Sequence, residues 1–214
     1  MKRAAAAGAL AALALAGGGL ALAMPDAAIT TASHAEYRQE VQMLTARCAF
    51  CHGVEGVSGY AIWPSLAGLD ADYLERQLAA YALGAEGPRA SAHSGQMYAI
   101  AASLDEGQRR AVAEYYAAMP PPRWDGAGRD GPGRDLYARG EAAVLACATC
   151  HGADAGGQAA LNAPRLGGQP ARYTLDQLNA YASGSREDAG SGMAAIAAAM
   201  TDEQKSAIAS FLAP

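Results

Sequence analysis

At 214 residues with a formal charge of −5, the chain has room for one or two domains and shows no basic stripe, which argues against a nucleic-acid binder. Half of it is hydrophobic, but alanine supplies much of that and aromatics only 7%. Two halves of roughly 80–100 residues would each sit near the lower limit for a self-sufficient core, so something besides side chains should help to fill them.

Lys2 and Arg3 precede an apolar, alanine-rich run from Ala4 to Ala23 that carries no charge. Ala21-Leu22-Ala23 offers small residues where a signal peptidase reads, so residues 1–23 read as a signal peptide cleaved before Met24. The alternative is an uncleaved membrane anchor, because the run approaches the length of a spanning helix. On either reading, residues 35 onward lie outside the cytoplasm. Cleavage would take the charge from −5 to −7, a balance consistent with partners that dock through charge.

Tyr37, Val41 and Leu44 then recur at helical spacing and lead into CAFCHG at residues 48–53. WPSLAGLDADYLERQLAAYALG (63–84) follows, with Leu74, Leu78 and Tyr81 as an apolar stripe, Asp70 or Asp72 as N-cap and Gly84 as the stop signal. Ser103 to Glu106 reads as a capping box opening a last helix whose core face is Val112, Tyr115 and Met119. PPPRWDGAGRDGPGRD (120–135) is rich in proline and glycine and reads as a linker.

The rest of the chain repeats this order. CATCHG stands at 147–152, and APRLGGQPARYTLDQLNAYASG (163–184) matches the first half at an offset of 100, pairing Pro64 with Pro164, Gly68 with Gly168, Tyr73 with Tyr173 and Gln77 with Gln177. GQMYAIAASLDEGQRRAVAEYY matches SGMAAIAAAMTDEQKSAIASFL at an offset of 96, with a capping box at Thr201 to Gln204 and Ile208 and Phe211 on the core face. This is a tandem repeat of helical halves, 35–119 and 136–214, with no sustained period-two strand pattern.

The four cysteines of the chain are Cys48, Cys51, Cys147 and Cys150, each pair followed directly by His52 or His151. Two thiols at this spacing can form thioethers with the vinyl groups of one heme, and the next imidazole then sits under the iron. A zinc site on all four cysteines would leave both histidines unexplained and require the repeats to meet at one ion. A covalent heme in each half would also supply the missing core.

The opposite face of each iron needs a ligand. His34, His52, His93 and His151 are all the histidines, and the second half holds only His151. Met97 and Met193 occupy matching positions in the repeat and are the natural ligands. His93, four positions before Met97, could compete but reads as an exposed loop histidine, whereas Met200 aligns with Leu104 and reads as core. Pro64 and Pro164 fall 12 and 13 residues after their histidines, and their carbonyls can accept the second ring N–H of each imidazole, unless each proline only shapes a turn. Arg89 and Arg186 precede the methionines and are candidates to neutralise heme propionates, although exposed arginines usually do nothing of the kind. Trp63 and Trp124 are candidates for packing at a heme edge.

The doubled order of motif, proline, tyrosine–glutamine helix, glycine, methionine and capped helix resembles the cytochrome c4 family of diheme class I c-type cytochromes over nearly all of residues 41–213. The resemblance implies an all-α protein of two tandem class I cytochrome c-like domains related by approximate two-fold symmetry. It implies two covalent hemes, one held by Cys48, Cys51, His52 and Met97, the other by Cys147, Cys150, His151 and Met193, with Pro64 and Pro164 accepting from the histidines. Two departures stand out. Leu69 occupies the position of Gln169, and the loop before Met97 is four residues longer than its counterpart.

Histidine–methionine ligation closes the iron and raises its potential relative to bis-histidine ligation. The expected function is a periplasmic electron carrier between a respiratory donor, such as a quinol-oxidising complex, and a terminal oxidase or reductase, with no catalytic residue of its own. The alternatives are a membrane-bound electron-transfer subunit of an oxidase or dehydrogenase and a diheme peroxidase. The peroxidase would need a distal catalytic carboxylate or histidine.

Overall fold

Helices carry all the regular structure among the described residues, which in this computed structural model are 26–90, 94–188 and 190–214. The signal-peptide segment 1–23 and His93 lie outside them. Residues Met1–Glu36 and Tyr37–Pro214 form separate units; both repeats belong to the second. The described helices are α1 (Asp26–His52), α2 (Ala71–Ala82), α3 (Gly95–Ala102), α4 (Glu106–Ala117), α5 (Pro132–Arg139), α6 (Ala148–His151), α7 (Ala171–Ala182), α8 (Met193–Ala199) and α9 (Asp202–Leu212). None is long and apolar enough to cross a membrane.

Each helix begins and ends where local chemistry allows. Asp70, of the two aspartates expected, caps α2 by accepting from Tyr73 N at 2.9 Å. Past the end of α2, Gly84 takes φ +75°, a left-handed conformation that suits a glycine stop. The capping box at Thr201–Gln204 forms as expected. Its partner in the first half does not start at Ser103. It runs from Asp105 to Gln108, the positions that align with Thr201 and Gln204. Leu104 is the reason: it is 4% exposed, so Ser103 is used to close α3, its hydroxyl donating to Ile100 O at 2.7 Å.

The two cores are small and equivalent. Leu69, Tyr73, Leu74, Val112, Ala113 and Tyr116 form the first, with the expected Tyr115 and Met119 packed at its edge. Tyr116, one turn after Val112, is the most buried large side chain on α4, a position the reading of Val112, Tyr115 and Met119 passed over. In the second core Leu136, Tyr137, Leu178, Tyr181, Ile208, Phe211 and Leu212 pack together, and Met200 is buried among them.

The expected linker is a strap with structure of its own. Pro132 at the first turn starts α5 inside it. Pro121 and Pro122 lie directly on Gly68 and Gly168, where an added Cβ would stand 2.6 and 2.8 Å from the proline rings. That contact, together with φ of +68° and +84°, explains why the repeat needs glycine at both positions. Trp124 packs edge-on against Phe211 and donates to its carbonyl at 3.0 Å, so it belongs to the second core, not to a heme edge.

The halves meet through equivalent residues. Arg89 and Arg186 pair in an antiparallel bridge, and Glu187 N donates to Pro88 O at 2.8 Å beside it. The two arginines lie in the loops before Met97 and Met193 and each covers the ring of its own tyrosine, Tyr81 or Tyr181, so their antiparallel pairing is what a two-fold axis between the halves requires.

Candidate functional site

In a helical turn, residues three and four apart share a face. The C-x-x-C-H spacing therefore gathers two thiols and an imidazole at the end of α1 and again on α6. Gly53 and Gly152 end these turns at φ +81° and +79°; a Cβ on Gly53 would collide with Val57 O at 2.1 Å. That steric demand accounts for the glycine that follows each histidine.

His52 and His151 are buried, 6% and 7% exposed. Nδ1 of His52 lies 2.8 Å from Pro64 O, and Nδ1 of His151 lies 2.8 Å from Pro164 O. A carbonyl can only accept, so each Nδ1 carries the proton and donates it, leaving Nε2 of a neutral ring with a free lone pair. Burial holds both imidazoles below the usual histidine range, outweighing the carbonyl bond that favours the charged form. Both rings are thus kept neutral and oriented, the state a metal can use. Burial also raises the Cys48 thiol and pushes that of Cys147 up to about 11.

The matching methionines face the same space. Met97 on α3 and Met193 at the start of α8 are half-buried and line a continuous cavity of about 650 Å³. Cys48, His52, Cys147 and His151 line it too, so one cavity joins the chemistry of both halves. Trp63 is on its wall, stacked edge-on with Tyr60. Met200 touches the cavity but is only 6% exposed and is built into the second core.

Arg89 and Arg186, which sequence reasoning treated as exposed, are 3% and 4% exposed and also line the cavity. Arg186 donates to Gln177 at 2.9 Å, and across the two-fold axis to Tyr73 at 3.1 Å and Gln77 at 3.2 Å, with Asp188 at 3.2 Å as its carboxylate. Arg186 also stacks over the Tyr181 ring, as Arg89 does over Tyr81; the side-chain hydrogen bond of Arg89 among the described residues goes to the Tyr81 hydroxyl. Nη1 of Arg89 and Nε of Arg186 are buried without a hydrogen-bond partner among the described residues. Orphaned guanidinium donors in an interior are costly unless a bound anion satisfies them. An apolar cavity with paired thiols, oriented imidazoles, thioethers and two such donors fits two hemes with their carboxylates.

Comparison with known proteins agrees. The family model for cytochrome c matches twice, over residues 39–119 and 133–213. A thiosulfate dehydrogenase electron acceptor of Thiomonas intermedia (strain K12) is 36% identical over 181 residues, covering 78% of each chain. Cytochrome c4 of Thiocapsa roseopersicina is 33% identical over 172 residues, covering 77% of this chain and 85% of its own. The crystal structure of reduced recombinant cytochrome c4 from Pseudomonas stutzeri superposes with a TM-score of 0.69 at 28% identity, covering 81% of this chain and 96% of that one.

The chain belongs to the cytochrome c family, in its diheme cytochrome c4 branch. It is an all-α protein of two class I domains with two covalently bound heme c groups, and it transfers electrons; it is not an enzyme.

Sequence reasoning missed the polar groups between the halves. Asp188 has no repeat signal, and Tyr73 and Gln77 were seen only as repeat markers. Their identity in both halves was the available clue: a surface tyrosine–glutamine pair has no physical need to recur, whereas one that faces a buried arginine does.

Proposed function

We propose that this cytochrome is an exported carrier of single electrons, its irons held by His52 and Met97 in the first half and by His151 and Met193 in the second. Thioethers from Cys48 and Cys51, and from Cys147 and Cys150, would anchor the two groups. Each heme supplies reversible one-electron iron chemistry when bound. The protein's part is to fix the two ligands so that neither moves on electron transfer. Pro64 and Pro164 do this for the imidazoles by accepting hydrogen bonds from their Nδ1–H groups, and they raise ligand basicity at the same time. Arg89 and Arg186 would balance the carboxylates of the two groups, which costs less than burying either charge alone.

The observation that carries this reading is the duplicated 2.8 Å histidine–proline bond, with an in-register methionine lining the same cavity in each half. Residues 1–23 would direct export to the periplasm, with folded domains at 35–119 and 136–214. One donor class is a respiratory complex such as a quinol-oxidising one, with a terminal oxidase or reductase as acceptor. The 36% identical relative, named as an electron acceptor of thiosulfate dehydrogenase, favours an exported sulfur-oxyanion dehydrogenase as a second donor class.

Stopped-flow mixing of the oxidised protein with each purified donor tests the assignment. Fast reduction of both hemes by one donor, followed by reoxidation with an oxidase, is the expected result. Peroxide turnover by the protein as isolated, or cyanide binding to it, would overturn the closed-iron carrier.

A further inference from the structure

Gln169 reaches from the second half into the first and hydrogen-bonds one residue twice. Ser65 N donates to its Oε1 at 3.0 Å, and its Nε2 donates to Ser65 O at 2.8 Å. Both residues are buried: Gln169 is 5% exposed and Ser65 is 0% exposed. Ser65 immediately follows Pro64. The N–H that Gln169 accepts and the C=O that His52 donates to are therefore the two ends of one peptide group.

A peptide group is a conjugated unit. Donating a hydrogen bond from its N–H end draws electron density toward its oxygen, and hydrogen bonds in such a chain strengthen one another in a low-dielectric interior. The series His52 Nδ1–H to Pro64 O, then Ser65 N–H to Gln169 Oε1, makes the Pro64 oxygen a better acceptor. A stronger acceptor gives the His52 ring more imidazolate character, and a more basic ligand favours the oxidised iron.

Among the described residues, the counterparts of Gln169 and Ser65 form no reverse input. Leu69, the counterpart of Gln169 in the first half, has a side chain that neither donates nor accepts and is packed in the first core. The counterpart of Ser65 is Arg165, whose side chain turns to Gly167 O at 3.1 Å. We propose that Gln169 is a positioning residue through which the second half lowers the reduction potential of the first heme, while the first half has no equivalent hold on the second. This rests on His52 being an iron ligand.

The test is a redox titration of the full-length diheme protein, read heme by heme from hyperfine-shifted heme methyl resonances assigned with Met97→His and Met193→His. Gln169→Leu, which gives the second half the residue of the first, should shift the first heme's equilibrium three- to tenfold toward the reduced form. At 59 mV per decade this is about 30–60 mV upward. The second heme should stay where it was. Gln169→Glu, which keeps the acceptor, should hold the first heme at or below its original potential.

An unmoved first heme, both hemes moving together, or Leu and Glu variants shifting the first heme in the same upward direction would overturn the proposal. A general loosening of the interface would produce the last two. The heme count and the far-red sulfur-to-iron band of the unmodified protein keep the two ideas apart. If those are deficient, the ligand assignment fails. If they are intact and the potential does not respond, only the role of Gln169 fails.

Discussion

The two halves agree where iron chemistry makes demands and differ where they touch each other. Both bury a histidine against a proline carbonyl at 2.8 Å, and both close the motif with a left-handed glycine. At the interface the pattern breaks. Arg186 stacks on Tyr181 and gathers Tyr73, Gln77, Gln177 and Asp188, while Arg89, among the described residues, stacks on Tyr81 and donates to its hydroxyl; Gln169 faces Leu69 in the alignment. A heme needs its full set of groups in each half, so those groups recur. A contact across a two-fold axis can be made once and still join both sides, so its second copy is free to change.

The largest effect should come from removing a heme. Changing Cys147→Ser together with Cys150→Ser takes the covalent heme from the second half, whose side-chain core is too small to stand alone. Heme per chain should fall from two to one, and limited proteolysis should cut the second half while sparing the first. A resistant, heme-free second half would break the idea that the cofactor completes the core.

Next in size is the loss of one axial sulfur. Met193→Ala and Met97→Ala should each remove half of the far-red band and open one iron to cyanide, with the other unchanged. Equal effects would show that the longer loop before Met97 does not loosen its ligand. An intact band in Met193→Ala would mean that Met200 takes over.

The interface should respond unequally. Arg186→Ala leaves Asp188 without its cation and strips partners from both halves, so it should cost about 2–4 kcal/mol, discounted because Asp188 is partly exposed. Arg89→Ala loses a cation–π contact and a hydrogen bond, about 1–2 kcal/mol. Urea midpoints of the two variants measure the difference, and equal values would remove the asymmetry.

Much of this molecule could be read in the sequence because its constraints are local or duplicated. The helices, the heme motifs and the matching methionines each leave a spacing or a repeat. The Leu69–Gln169 departure was visible, but its meaning was not. A glutamine that binds a peptide group more than one hundred residues away leaves no local pattern. The burial of Arg89 and Arg186 was hidden for the same reason, since their cover comes from the other half. Trp124 was misread because proline and glycine around it suggested an open linker, whereas Pro121 and Pro122 are packed on the glycines of both halves.

The smallest effect separates two readings of one turn. SLDEGQ contains two overlapping capping signals, Ser103 with Glu106 and Asp105 with Gln108, and in the structure the second is the one that forms. Asp105 accepts from Gln108 N at 2.8 Å, as Thr201 accepts from Gln204 N at 3.2 Å. Asp105→Ala and Thr201→Ala should therefore each cost about 1 kcal/mol. Ser103→Ala gives up only exposed bonds and should cost less than about 0.5 kcal/mol. Were Ser103→Ala as costly as Asp105→Ala, α4 would begin two residues earlier and Leu104 would be drawn out of the core. The alignment of Leu104 with Met200 argues against that, because both halves keep an apolar residue buried at this point and start the final helix one residue beyond a capping side chain.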